Sequence, residues 1–256
     1  MKLFDTHAHL LDDQFEPDRN ALIASFPEAG VCGFVEACVE AEDIPKVQAL
    51  TLLYDSVYGS AGIHPHSASK ADNTNLLRVE RALEHKKIVA VGEIGLDYHY
   101  DFSPREAQRE AFANQLDMAI AANKPVIVHD REAHGDVMAM LSARRGRLGG
   151  VLHCYSGSYE DAVRYIDMGL YIAFGGALTF KNATKQRAIA EKLPLERLVI
   201  ETDCPYMTPE PHRGERNSPL LIHFTLEMLA KVRGITVSEA AEATYQNAMQ
   251  LFGISL

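Results

Sequence analysis

The sequence predicts an α/β fold, a (β/α)8 barrel forming one domain over residues 1–256. Three observations carry this expectation: eight short apolar runs, stretches of helical length between them, and histidines or carboxylates where several runs stop. A chain of 256 residues with 47% hydrophobic side chains can bury a core of this size. Regular alternation of strand and helix imposes a parallel sheet covered by helices.

The apolar runs fall at residues 2–7, 32–39, 57–63, 88–93, 125–129, 149–153, 170–175 and 197–203. Between them lie helical stretches such as 104–122, whose Ala107, Ala111, Leu116, Met118 and Ala119 recur mainly three and four residues apart, and 182–193. Residues 236–252 read as one further helix, with Thr236 or Ser238 as N-cap and Gly253 as its stop. This extra C-terminal helix is expected on the outside of the barrel. Residues 206–219 hold Pro209, Pro211, Gly214 and Pro219, and are expected to form a long loop on the catalytic face. No low-complexity segment, repeat or flexible linker divides the chain.

The net charge of −10 argues against an extended basic surface for tight duplex binding, and with it against a nucleic-acid-binding module without catalysis. A short or flexible anionic substrate stays open, because bound divalent cations would reverse the local potential. The N-terminus has no basic stretch leading into a long apolar one, and no run approaches ~18 apolar residues, so neither secretion nor membrane insertion is expected. Cys32, Cys38, Cys154 and Cys204 form no Cys-x-x-Cys pair and read as buried, reduced thiols of a cytoplasmic protein. No obligate protein partner is inferred.

The chemistry concentrates at strand ends. His7 and His9 close the first run, two residues apart, so that on an extended strand both imidazoles face one side. Glu93, His129, His153 and Asp203 close the fourth, fifth, sixth and eighth runs. In a barrel of this kind the C-terminal strand ends form one mouth, so six potential ligands converge there. Each has an ordinary structural alternative as a cap, ion pair or bonded core histidine, but six on one rim are hard to explain that way. Four imidazoles and two carboxylates suit two divalent cations, zinc, manganese or magnesium. In the expected arrangement His7, His9, Glu93 and Asp203 surround one cation and Glu93, His129 and His153 the other, with Glu93 bridging.

The ordered motifs Phe4-Asp5-Thr6-His7-Ala8-His9, Gly62-Ile63-His64-Pro65-His66, Gly92-Glu93-Ile94-Gly95-Leu96-Asp97-Tyr98, Pro125-Val126-Ile127-Val128-His129-Asp130-Arg131, His153-Cys154-Tyr155-Ser156-Gly157 and Glu201-Thr202-Asp203-Cys204-Pro205-Tyr206 span almost the whole chain. In these the chain resembles the TatD family of metal-dependent nucleases, within the amidohydrolase-like superfamily. The resemblance implies a distorted TIM barrel, two metals on His7, His9, Glu93, His129, His153 and Asp203, and deoxyribonuclease or 3′-5′ exonuclease activity on DNA or RNA. Some members are known only as metal-dependent hydrolases. Where the family often has Asn-Glu-Pro, this chain has Asn217-Ser218-Pro219, which alters a loop contact outside the metal set.

Other residues fall near the same mouth. His64 ends the third run and reads either as a substrate or supporting contact or as a loop residue, while His66 reads as structural. Glu201 lies on the same face as Asp203 and is expected to orient a ligand or to be buried against an arginine. Arg131 and Arg216, with Arg213 and Lys181, could meet a substrate phosphate. The expectation is a two-metal hydrolase cleaving single-stranded nucleic acid or short oligonucleotides, with Asp203 and Glu93 as catalytic residues and Asp203 accepting the proton of the attacking water. Its rival is an amidohydrolase or esterase acting on a small acyl compound, distinguished by whether Arg131, Arg213 and Arg216 converge on the mouth.

Overall fold

A computed structural model describes residues 1–255. Eight parallel strands, β1 (Leu3–Ala8), β2 (Val31–Glu36), β3 (Val57–Ala61), β4 (Ile88–Asp97), β5 (Val126–Arg131), β6 (Gly150–Leu152), β7 (Leu170–Phe174) and β8 (Leu198–Ile200), pair in sequence order. A helix follows each: α1 (Arg19–Ser25), α2 (Ile44–Leu53), α3 (Asn73–Ala82), α4 (Arg105–Ala122), α5 (His134–Ser142), α6 (Tyr159–Asp167), α7 (Thr184–Lys192) and α8 (Ile222–Arg233). One more, α9 (Val237–Phe252), ends the chain's regular structure. The predicted barrel is therefore present, with a helix after every strand.

Alternation along the strands sorts the core into two layers. Leu3, Phe34, Ile88, Val126, Val128, Leu152, Ile172 and Leu198 pack with helix residues such as Phe112, Leu116 and Leu226. Phe4, Val35, Ala90, Ile127, Val151, Ala173 and Val199 form a second cluster inside the barrel. Tyr245, Ala248, Met249 and Phe252 of α9 join that inner cluster, and the Phe252 ring lies 6.2 Å from that of Phe4. So α9 does not lie on the barrel's outer wall, as its amphipathic pattern alone suggests; it closes the end away from the mouth. Asn247 fixes it there, donating to the carbonyls of Leu195 and Leu198 at 2.8 and 2.7 Å. Thr236 and Glu239 form a reciprocal capping box at its start, and Gly253 adopts a left-handed backbone at its end.

The barrel closes imperfectly. Each strand pairs with the next, but among the described residues no ladder joins β8 to β1. Side chains and loop backbone bridge this seam. Thr6 Oγ1 donates to Ile200 O at 3.1 Å, and the fully buried Asp5 carboxylate accepts the Thr202 N–H at 2.9 Å and its hydroxyl at 2.5 Å. Just above, the Asp203 N–H donates to His7 O and the His9 N–H to Cys204 O, both at 2.9 Å. Strand ends also differ from expectation. β4 continues four residues past Glu93 to Asp97, whereas β6 and β8 stop at Leu152 and Ile200, leaving His153, Glu201 and Asp203 on the segments just beyond. No described helix is long and apolar enough to cross a membrane.

Replacing Asp5 by Ala leaves the Thr202 N–H and hydroxyl without their buried acceptor, so Asp5→Ala is expected to lower unfolding stability by about 2–3 kcal/mol. Urea denaturation followed by circular dichroism reads this as a lower midpoint; an unchanged midpoint would show that the seam does not depend on Asp5.

Candidate metal centre

Strand alternation delivers most of the site. Ile127, Val151 and Val199 point into the barrel, so His129, His153 and Glu201, two residues on, and Asp203, four on, follow the same side to the mouth. His7, His9 and Glu93 reach it differently. The β1–β2 register shifts between Asp5 and Ala8, and the β4–β5 register between Val91 and Ile94, so each strand gains a local turn about its axis. Close backbone approach accompanies the second shift. A Cβ on Gly92 would lie 2.7 Å from Ile127 Cβ, and Gly95, at φ +147°, would bring one to 2.0 Å from His129 O.

Glu93 is the centre of the cluster, and its two oxygens face different groups. Oε2 lies 3.3 Å from His7 Nε2 and 3.7 Å from His9 Nε2. Those imidazoles are 3.7 and 3.5 Å from Asp203 Oδ1, and 3.0 Å from each other. Oε1 lies 2.8 Å from His129 Nδ1, 2.9 Å from His153 Nε2 and 3.4 Å from His64 Nε2. All six sequence-predicted ligand candidates thus meet in one site. His64, whose role the sequence left open, joins the second group as a further imidazole.

Electrostatics prepares these groups to hold cations. Against the cost of burial, His153, His64 and His7 hold the Glu93 carboxyl well below its usual range, and His9 with His153 and His7 lowers that of Asp203. Burial pushes His7 and His64 down to about 4, helped at His7 by His153, which keeps them in the neutral form that ligates. His9 and His129 are instead pushed up to about 9 despite burial, the first by Asp203 and Glu93, the second by Asp97 and Glu93. Positive charge is thus favoured in both halves of the cluster. The outer ring nitrogens of these two are tied. His9 Nδ1 donates to Ala37 O at 3.2 Å and His129 Nε2 lies 3.2 Å from Asp97 Oδ2, which turns their other nitrogens toward Glu93. These imidazole and carboxylate groups form a donor set that could hold a metal ion.

Asp97 is the residue that sequence reasoning missed. It is fully buried at the end of β4, where Oδ2 also meets His66 Nε2 at 2.8 Å and Oδ1 accepts the N–H groups of His99 and Tyr100. Its signal was available: Glu93, Gly95 and Asp97 alternate on one motif. His66, read as structural, lines the cavity and shares this carboxylate with His129. Glu201 is fully buried behind His153, its Oε1 accepting the Cys154 N–H and lying 3.8 Å from His153 Nδ1. Burial pushes its carboxyl up to about 8, and among the described residues no arginine pairs with it.

The mouth opens into a cavity of about 830 Å³. Arg131 lines it, with its guanidinium 4.7 Å from the Tyr100 ring centre. Arg216 does not: it forms a double ion pair with Asp18 and covers the Phe15 ring. Arg213 is likewise engaged elsewhere, over Phe180 and bonded to Thr208 O. Of the three arginines whose convergence distinguishes the two substrate classes, Arg131 alone lines the cavity.

A (β/α)8 barrel whose mouth gathers buried imidazoles around ionised carboxylates has the make-up of a metal-dependent hydrolase. The family model described as TatD related DNase matches residues 4–253, and the chain belongs to the TatD family. It is 39% identical over 254 residues to the Bacillus subtilis (strain 168) protein named uncharacterized metal-dependent hydrolase YabD, covering 99% of this chain and 100% of that one. It is 36% identical to the protein of Pantoea ananatis (strain LMG 20103) named 3′-5′ ssDNA/RNA exonuclease TatD, covering 98% and 100%. The solved structure of YJJV, a TatD homologue from Escherichia coli K12, matches with a TM-score of 0.93 at 34% identity over 99% of this chain and 98% of that one. The protein is thus a metal-dependent hydrolase of the TatD family.

Removing the charge that orients His129 tests this assembly. Asp97→Asn is expected to weaken cation affinity about 10–100-fold. Competition against a chromogenic chelator measures it, with circular dichroism checking that the fold is retained; unchanged affinity would make Asp97 a loop anchor alone.

Proposed function

We propose that the protein is a phosphodiesterase that uses two divalent cations to cleave single-stranded DNA or RNA from an end. The observation that carries this reading is Glu93, whose two carboxylate oxygens face separate groups of imidazoles. One cation would be held by His7, His9, Glu93 and Asp203, the other by Glu93, His129 and His153, with His64 beside them. Bound there, the cations supply Lewis acidity, which acidifies a water and neutralises charge on phosphoryl oxygens.

The chain's own groups do the rest. Asp203 stays ionised against burial and accepts the proton of the water that attacks phosphorus. Glu93 holds the two groups at a fixed separation. Arg131 offers its guanidinium fork to a phosphate oxygen. Six carboxylates, Asp12, Glu36, Asp43, Glu93, Asp97 and Asp203, line the cavity with this one guanidinium, so a phosphate enters only where cations reverse the local field. The name exonuclease borne by the Pantoea ananatis relative supports the substrate class.

One observation favours a second reading. Arg213 and Arg216 offer no further phosphate contact, which suits an amidohydrolase or esterase acting on a small acyl substrate. The open cavity of about 830 Å³ and its exposed aromatic rim favour the oligonucleotide.

Chelator-stripped protein is expected to leave end-labelled single-stranded oligonucleotides intact, and magnesium, manganese or zinc to restore cleavage. Elemental analysis of the restored enzyme should saturate at two ions per chain; saturation at one would overturn the two-cation reading, and no cleavage with any ion would favour the acyl substrate. With both ions bound, Asp203→Asn is expected to lower kcat about 100-fold or more. Full turnover in that variant would remove Asp203 as proton acceptor.

A further inference from the structure

Of the exposed aromatic side chains Tyr100, Phe102, Tyr159 and Tyr206, three line the cavity, Tyr159 being the exception. Tyr100 and Phe102 stack on each other, with ring centres 5.2 Å apart and planes inclined by 15°. Phe102 is 68% exposed, and Tyr100 47%.

Loose backbone does not account for it. The segment carrying both rings is tied from beneath. The Asp97 carboxylate accepts the N–H groups of His99 and Tyr100, at 3.0 and 2.9 Å. Ser103, itself buried, donates from Oγ to His66 O and accepts the Ser69 N–H. Gln108 donates to the carbonyls of Asp97 and Ser103, and Arg105 forks onto Asp101. A rigid loop therefore presents two rings to solvent, so little ordering entropy opposes a ligand that stacks on them.

The rings stand in fixed relation to the donor cluster. His66 packs edge-on against both, at 5.5 Å from Tyr100 and 4.8 Å from Phe102, and lies 4.3 Å from His64 and 6.2 Å from His129. Arg131 packs over the Tyr100 ring. Asp97 holds both the loop and His129, so the same carboxylate sets the distance from the rings to the centre.

We propose that Tyr100 and Phe102 form a stacking platform for the nucleobase next to the phosphate held at the centre, with Arg131 as the phosphate contact between them. The platform rests on the reading of the substrate as nucleic acid and deepens it. Every base has a flat face, so such a surface holds the strand end without reading its sequence. It also supplies affinity that the acidic lining cannot.

The test compares two ligands that differ only in the base, 2′-deoxyadenosine 5′-monophosphate and 2-deoxyribose 5-phosphate, by calorimetry on the manganese-loaded protein. Neither is a diester, so binding is read without turnover. The nucleotide is expected to bind about 10-fold more tightly. Phe102→Ala, at an exposed position, should reduce the gap to within about twofold, and Phe102→Trp should restore it. Equal affinities in the unchanged protein, or a gap that survives Phe102→Ala, overturn the platform. A gap behaving as expected in a protein that cuts no oligonucleotide upholds the platform and overturns the nuclease reading instead.

Discussion

Glu93 is buried, ionised and within 3.7 Å of nitrogens from His7, His9, His64, His129 and His153. Taking a carboxylate out of water costs several kcal/mol unless charge and hydrogen bonds compensate. The five imidazoles provide that compensation only if four segments of chain, at the ends of β1, β3, β5 and β6, deliver them to one point. This demand explains the close backbone approach around it. A Cβ on Gly62 would lie 2.7 Å from the Gly92 carbonyl carbon, so the segment after β3 and strand β4 come nearer than side chains allow. The Glu93 N–H is anchored by Cys38 O at 2.8 Å, which ties β4 to the segment following β2.

Two further buried carboxylates hold the flanks of the mouth, and they work alike. Asp5 sits below the open seam, gripping Thr202 so that His7 and Asp203 are brought side by side from opposite ends of the chain. Asp97 sits on the opposite flank, gripping His129, His66 and the backbone of the loop beyond β4. Each accepts hydrogen bonds from backbone and side chain together. A carboxylate bonded this way transmits position, because neither partner can shift without leaving a buried polar group unpaired. Burial pushes the Asp5 pKa up to about 7 against the hydrogen bonds from Thr202 and the His7 N–H, whereas His129 and the Tyr100 N–H hold Asp97 low despite its burial.

The parts of this arrangement that follow strand alternation were legible in the sequence. Ile127, Val151 and Val199 mark the inward face, and counting by twos from them reaches His129, His153, Glu201 and Asp203. The same count from Phe4 reaches Thr6 and Ala8, the wrong residues, because a register shift intervenes that no pattern of apolar residues announces. His7, His9 and Glu93 are ligand candidates in the sequence because each stands where an apolar run stops, which gives their place on the rim without that geometry. Helix α9 was legible as amphipathic, but a buried face does not say what it is buried against. The ion pair of Arg216 was not legible for a similar reason. Its partner Asp18 is far away in sequence, and a guanidinium carries no local sign of which carboxylate it will find.

Charge joins the opening sequence observation to the site. The chain carries −10 overall, and the cavity repeats that balance in miniature with six carboxylates against Arg131. Such a surface disfavours a polyanion except beside Arg131 and where the proposed cations at Glu93 would invert the field. An extended duplex would need many favourable phosphate contacts and meets almost none. A single flexible strand needs one phosphate at the inverted point and an uncharged means of holding what precedes or follows it. Exposed rings meet that second requirement, since stacking does not depend on the sign of the surrounding potential. The acidity that argues against general nucleic-acid binding is therefore compatible with cleavage confined to a strand end.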